Sequence, residues 1–252
     1  LIMFTTYYAG EYWDYAEDSL SASSGSSHFA GGSGVLQSGV LSRRSALWAS
    51  LVCLLLSILV GLILQFVYQT GSWTFFLCII GILGGFFYST LPVRWVRTGW
   101  GELWIAFCYG WLPVATGYYL QASRITRLVH WIAVPIGLTI FNVILLNEFP
   151  DYSADIATDK SNLLARIGRK KASRLYGLTS FASWCAVLIS VIQGVPVRIL
   201  WIYPAVMLLS LSLVVMVMRE SWRDRKTLEK LCAANIVVNL GTTATYIFAF
   251  VS

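Results

Sequence analysis

The chain has 252 residues, 57% of them hydrophobic and only 12% charged, with a formal net charge of +6. That balance excludes a soluble globular domain and a disordered tail and places the chain among membrane proteins. The five cysteines lie in apolar runs without a CxxC pair, which excludes a zinc or disulfide framework, and the basic residues are scattered over short segments, which argues against nucleic acid.

Taken in order, Leu1–Tyr8 reads as the tail of a membrane helix. With no initiator Met and no signal-peptide pattern, the sequence is expected to be N-terminally incomplete. An acidic cluster follows, Glu11-Tyr-Trp-Asp14-Tyr-Ala-Glu17-Asp18. Residues 20–34 are rich in Ser and Gly and read either as a linker or as a lid whose Gly31, Gly32 and Gly34 amides approach an anion.

Seven apolar stretches of 18–23 residues come next: Ala46–Tyr68, Trp73–Thr90, Leu103–Gln121, Leu128–Leu146, Arg174–Gln193, Ile199–Met218 and Leu231–Val251. Each is long enough to cross a hydrocarbon core of ~30 Å as a helix. The expected fold class is therefore all-α, a polytopic transmembrane helical bundle with seven complete spans. Gly81 and Gly85 form a GxxxG spacing suited to close helix packing. Pro113 and Pro135 lie inside spans and favour kinks, and His130 reads as an interfacial histidine.

The segments between spans alternate sides. One side (residues 1–45, 91–102, 147–174 and 219–230) holds 15 of the 18 Lys and Arg and all 12 Asp and Glu. By the positive-inside rule that side is cytoplasmic, so all acidic motifs face one compartment.

The second acidic motif is Asn147, Asp151, Asp155 and Asp159, four residues apart, with Pro150 favouring a break near Phe149. Lys160, Arg166 and Arg169 to Lys171 follow it. Each motif pairs aspartates at i, i+4, which a helix stacks on one face about 5–6 Å apart. Carboxylates that close repel unless a cation sits between them, and Mg²⁺ takes one or two protein carboxylates plus phosphate oxygens. Following cations suit diphosphate oxygens. Arg94 and Arg97, on the same side, either reach that diphosphate or anchor a helix end. Two such clusters at a membrane edge point to an enzyme handling a lipid diphosphate. Acids in ion pathways also suit a cation-coupled transporter, but none falls mid-membrane and no internal repeat is present.

These residues resemble the UbiA superfamily of intramembrane prenyltransferases. Its first motif, NDxxDxxxD, corresponds to Gly10-Glu11 through Asp14 and Asp18; its second, DxxxD, to Asp151 and Asp155, followed by Asp159-Lys160 and Arg166-Ile-Gly168. Gly10-Glu11 departs from the usual Asn-Asp, and Phe29–Leu36 departs from the Arg-Pro-rich stretch of relatives. The stretch from Pro92-Val-Arg94 through Gly101-Glu102-Leu to Gly117-Tyr118-Tyr119 is similar to the branch acting on 1,4-dihydroxy-2-naphthoate in menaquinone biosynthesis.

The resemblance implies a nine-helix fold, here lacking its first helices, with residues 1–252 forming a single transmembrane prenyltransferase domain. It implies Mg²⁺ held by Glu11, Asp14, Asp18, Asp151 and Asp155, with Asp14, Asp18, Asp151 and Asp155 catalytic. Arg94, Arg97, Asn147, Lys160 and Arg166 would bind substrate. The implied partners are a polyprenyl diphosphate, an aromatic acceptor and the bilayer, with no nucleic acid and no obligatory protein partner. Other acceptors within the superfamily are a hydroxybenzoate, a tetrapyrrole or a glycerol-phosphate lipid.

Overall fold

A computed structural model describes residues 1–23, 27, 29 and 32–251. Among the described residues, its regular elements are all helices. Helices α1 (Ile2–Trp13) and α2 (Tyr15–Ser23) carry the first acidic motif, and α3 (Arg43–Leu62) continues through a π-helical turn, Ile63–Val67. Then come α4 (Trp73–Phe86), α5 (Gly101–Ala106), a π-helical turn at Phe107–Trp111, α6 (Leu112–Ala122) and α7 (Arg127–Asn147). Short α8 (Tyr152–Ala157) and α9 (Leu163–Ile167) precede the long α10 (Arg169–Ile192), α11 (Ile199–Met218) and α12 (Arg225–Val251).

Among the described residues, five helical runs are long and apolar enough to cross a membrane: Arg43–Val67, Arg127–Asn147, Arg169–Ile192, Ile199–Met218 and Arg225–Val251. The other two expected spans are helical but differ in form. Trp73–Phe86 has 14 residues, and the run from Gly101 to Ala122 passes through the π-helical turn next to Gly110 and Pro113. The bundle turns apolar side chains outward: Leu55, Phe66, Phe181, Trp201, Leu208 and Leu240 are all exposed, as a lipid-facing surface requires.

Inside, α7 packs on α10 and α12 through a polar seam. Asn142 Nδ2 donates to Ser180 Oγ (2.8 Å), Asn235 Nδ2 donates to the Asn142 carbonyl (2.9 Å), and Asn239 Nδ2 donates to Thr139 Oγ1 (2.9 Å). In an apolar medium the hydrophobic effect does not hold helices together, so such bonds and close packing do. Gly81 and Gly85 serve that packing: a Cβ on Gly85 would lie 2.6 Å from Thr6 Oγ1, and one on Gly81 would lie 3.2 Å from Ile2 Cδ1, so α1 lies directly on α4. His130 Nδ1 accepts from Trp111 Nε1 at 2.8 Å, a satisfied structural pair.

Pro150 removes a backbone donor, and α7 stops at Asn147. The chain re-enters a helix at Tyr152, and the Asp155 N–H still reaches the Asp151 carbonyl at 2.8 Å, so these two aspartates stay one turn apart. The expected stripe does not extend to Asp159, which has left the helix with φ of +51°.

Candidate active site: two acidic motifs around one lysine

The first motif sits at a break. Asp14 caps the C-terminus of α1, and the Asp18 N–H bonds its carbonyl at 2.9 Å, keeping both carboxylates on successive turns. Asp14 Oδ2 accepts from Ser89 Oγ at 2.7 Å, and Asp14 Oδ1 accepts from Arg94 Nη2 at 2.8 Å. Arg94 lies in the left-handed region (φ +47°), uncommon for a residue with a side chain, at the start of the turn Trp95–Arg97. That turn aims Arg97 at Glu17, which is buried and also lies 3.3 Å from Arg94. Burial works against the Glu17 charge, but the Arg97 hydrogen bond and both guanidinium charges outweigh it and hold this carboxyl below its ordinary value.

The second motif meets the first through α2 and α8. Ser21 Oγ donates to Asp151 Oδ1. Asp155, buried, accepts from Asn162 Nδ2 at 2.7 Å and lies 3.4 Å from Lys160 Nζ. Lys160 is the hub. Burial disfavours its charge, yet Asp155, Asp14, Asp151 and Glu148 all act on it and drive its proton affinity above normal. Asp18 fares otherwise: burial, with repulsion from Asp14, Glu11 and Asp151, pushes it up to about 7 despite Lys160. Asp155 is likewise raised, by burial first.

The model of the UbiA prenyltransferase family matches residues 2–239. The chain belongs to the UbiA prenyltransferase family. Among curated relatives, the bacteriochlorophyll synthase 33 kDa chain of Cereibacter sphaeroides is 27% identical over 166 residues, 65% of this chain and 53% of that protein. The 1,4-dihydroxy-2-naphthoate octaprenyltransferase of Mycobacterium tuberculosis is 29% identical over 160 residues, 57% of this chain and 53% of that protein. Its counterpart in Bacillus subtilis is 27% identical over 135 residues, 52% of this chain and 43% of that protein. The chain thus spans about half the length of the curated relatives it matches. No solved structure matches it.

UbiA-family enzymes generally depend on a divalent metal. Among the described residues, no three Asp, Glu, His or Cys side chains converge as ligands on a single point. The motifs instead offer hard carboxylate oxygens, with burial and the neighbouring carboxylates pushing Asp18 up to about 7 and Glu11 Oε2 buried without a partner. Such a set fits Mg²⁺, which needs only one or two carboxylates when phosphate oxygens and water complete its shell. Asn147 Oδ1 is also buried and unpartnered. Arg166 is not brought to the carboxylates: its Nε donates to the Ser161 carbonyl at 2.7 Å and the side chain packs on Gly99, whose φ of +73° and missing Cβ make room for it.

Two acids that sequence reasoning did not assign complete this end of the UbiA bundle. Glu102 is almost wholly buried, and its Oε1 accepts from Leu163 N–H at 2.8 Å. Glu148 Oε2 accepts from Leu164 N–H at 3.3 Å, and the two carboxyls touch each other. Burial first, then the neighbouring Glu102 carboxylate, push Glu148 well above its ordinary value. Ser21, Ser89, Glu17 and Asn162 were also unassigned; small polar residues give no sequence signal of which distant carboxylate they will meet.

Of the three glycines in the stretch read as a linker or a lid, Gly31 lies outside the described residues. Gly32, with φ of +70°, lies so close to Asp18 that a Cβ there would be 2.5 Å from Asp18 Oδ2, and Ser33 N–H donates to Glu11 Oε1 at 2.7 Å. The Ser33 amide thus meets a first-motif carboxylate, whereas a Cβ on Gly34 would have nothing within 4 Å. An apolar cavity of about 410 Å³ runs between α1, α3, α4 and α6, lined by Ile2, Thr6, Gly81, Cys108 and Leu112 among others.

Proposed function

We propose that this protein transfers a polyprenyl group from a polyprenyl diphosphate to an aromatic acceptor, 1,4-dihydroxy-2-naphthoate in menaquinone biosynthesis, in a Mg²⁺-dependent reaction on the cytoplasmic side of the membrane. The observation that carries the reading is the meeting of both aspartate motifs around Lys160. Relatives named as naphthoate octaprenyltransferases support the acceptor.

In this reading Glu11, Asp14, Asp18, Asp151 and Asp155 hold Mg²⁺, which supplies Lewis-acid stabilisation of the leaving diphosphate. Lys160 adds a fixed positive charge where negative charge develops, which lowers the barrier to ionisation. Arg94 and Arg97 hold Asp14 and Glu17 in place and would share that charge with the diphosphate when it binds, and Asn147, whose Oδ1 is buried without a partner, would add its amide. Arg166, held by the Ser161 carbonyl and packed on Gly99, would reach substrate only by leaving that position. The allylic C–O bond breaks with its electron pair going to the diphosphate, and the electron-rich ring forms the new C–C bond, losing CO₂ in the naphthoate reaction. The polyprenyl tail lies in the apolar cavity beside α1.

A second acceptor class, a tetrapyrrole, is favoured by one observation: the bacteriochlorophyll synthase relative aligns with 65% of this chain. The family-level reading is tested by Asp151→Asn, which keeps the shape and removes the charge. We expect turnover to fall by orders of magnitude with normal membrane insertion; near-normal turnover would sink the assignment.

A further inference from the structure

On the same end of the bundle, a second cavity of about 360 Å³ is built from Phe149, Pro150, Arg169, Trp222, Arg223, Arg225 and Glu229. Three of its lining residues are arginines, and two of them stack on aromatic rings. The Arg169 guanidinium carbon lies 4.6 Å from the Tyr152 ring centroid and 5.5 Å from that of Trp222, and the Arg223 guanidinium carbon lies 5.3 Å from the same indole. Trp222 is buried and anchored by its Nε1, which donates to Ser173 Oγ at 3.1 Å. Arg169 Nη2 donates to the Phe149 carbonyl at 3.1 Å, while its Nε is buried without a partner.

We propose that this pocket binds the phosphate of an anionic phospholipid headgroup and thereby steadies the 149–152 strap that carries Asp151. Stacked, pre-oriented arginines suit phosphate, whose oxygens match the planar fork. The pocket lies where α10 and α12 enter the bundle, and basic pockets between membrane helices at this level recognise acidic headgroups. Two carboxylates temper it: Glu229, whose Oε2 is buried without a partner, and Glu220, which pairs with Arg223. Against three arginines they leave about one net positive charge, which suits a phosphodiester better than a multiply charged free diphosphate. Lys170, Lys171, Lys226 and Lys230, in the same two chain segments, add longer-range attraction. The occupant touches Phe149 and Pro150 directly, and Arg169 bridges to Phe149 and Tyr152, so both flanks of Asp151 feel its presence.

The test reads binding and local dynamics, so it stands apart from catalysis. The full-length protein is placed in nanodiscs of phosphatidylcholine alone or mixed with phosphatidylglycerol, and compared with an Arg223→Gln/Arg225→Gln variant. Native mass spectrometry follows retained lipid, and hydrogen exchange follows amides 149–152. Wild type should retain phosphatidylglycerol, bind it about 30-fold more tightly than the variant at roughly a fivefold loss per surface arginine, and show slower exchange in the strap only with that lipid. Inorganic phosphate should not displace it. Equal retention by both proteins, unchanged exchange in the strap, or displacement by inorganic phosphate would each overturn the proposal.

Discussion

Replacing Asp18 by Asn should make the metal-free protein more stable while ending its catalysis. Asp18 titrates at about 7 against an ordinary 3.8, chiefly because it is buried. At about 1.4 kcal/mol for each tenfold change in proton affinity, keeping it ionised in the folded protein costs about 4 kcal/mol. The folded protein binds the proton more tightly than the unfolded chain, so stability falls as pH rises. The deficit opens above pH 3.8, grows up to about 7 and is constant beyond it. Asn carries no such deficit. Thermal unfolding in detergent with a chelator, at about pH 5 and about pH 8.5, should show the variant above wild type at both, with the gap widening by about 2–3 kcal/mol. That is several degrees, at roughly 2–4 °C per kcal/mol for a chain of this size. Mg²⁺ with a prenyl diphosphate should close the gap for wild type alone. A variant no more stable than wild type, or a gap independent of pH, would refute the view that Asp18 is held short of positive charge.

Glu148→Gln supplies a permanent donor to Glu102 and should change stability by no more than about 1 kcal/mol at neutral pH. Because Glu148 is raised well above its ordinary 4.5, the wild-type pair should lose stability progressively as pH rises above 4.5 toward that raised value and be level beyond it, and the variant should not; denaturant midpoints from about pH 5 upward check this. Glu102→Leu strips the Leu163 N–H of its acceptor and should cost about 1–3 kcal/mol in the same assay. Gly110→Ala puts a Cβ about 2.5 Å from the Gly137 Cα and should cost about 1–3 kcal/mol by thermal unfolding. Gly117→Ala, with nothing within 4 Å, should stay within about 0.5 kcal/mol.

The helices and the two carboxylate pairs were legible because long apolar runs and i, i+4 spacing are local signals. So was the break at Pro150, where a missing N–H ends α7. The contacts that build the site are not local. Arg97 meets Glu17, Ser89 meets Asp14 and Ser21 meets Asp151 only because α2 packs on α8 and the turn after α4 folds back over α1. Arg94 and Arg97 read as diphosphate ligands or helix anchors, whereas in the fold their charge is already engaged by Asp14 and Glu17. The Glu102–Glu148 pair joins the start of α5 to the end of α7 across the N-terminus of α9, a juxtaposition with no periodic signature. The Asn142–Asn235 seam was equally silent, since single amides within apolar runs do not announce their partners.

The most direct test of the central claim is pyrophosphate release by membranes containing the full-length protein, given a polyprenyl diphosphate and either 1,4-dihydroxy-2-naphthoate, 4-hydroxybenzoate or a chlorophyllide. Release that requires naphthoate, is abolished by EDTA and is restored by Mg²⁺ is the predicted result. Release with another acceptor alone would contradict the naphthoate assignment, and no release or prenyl-diphosphate binding under any condition would contradict the prenyltransferase reading itself.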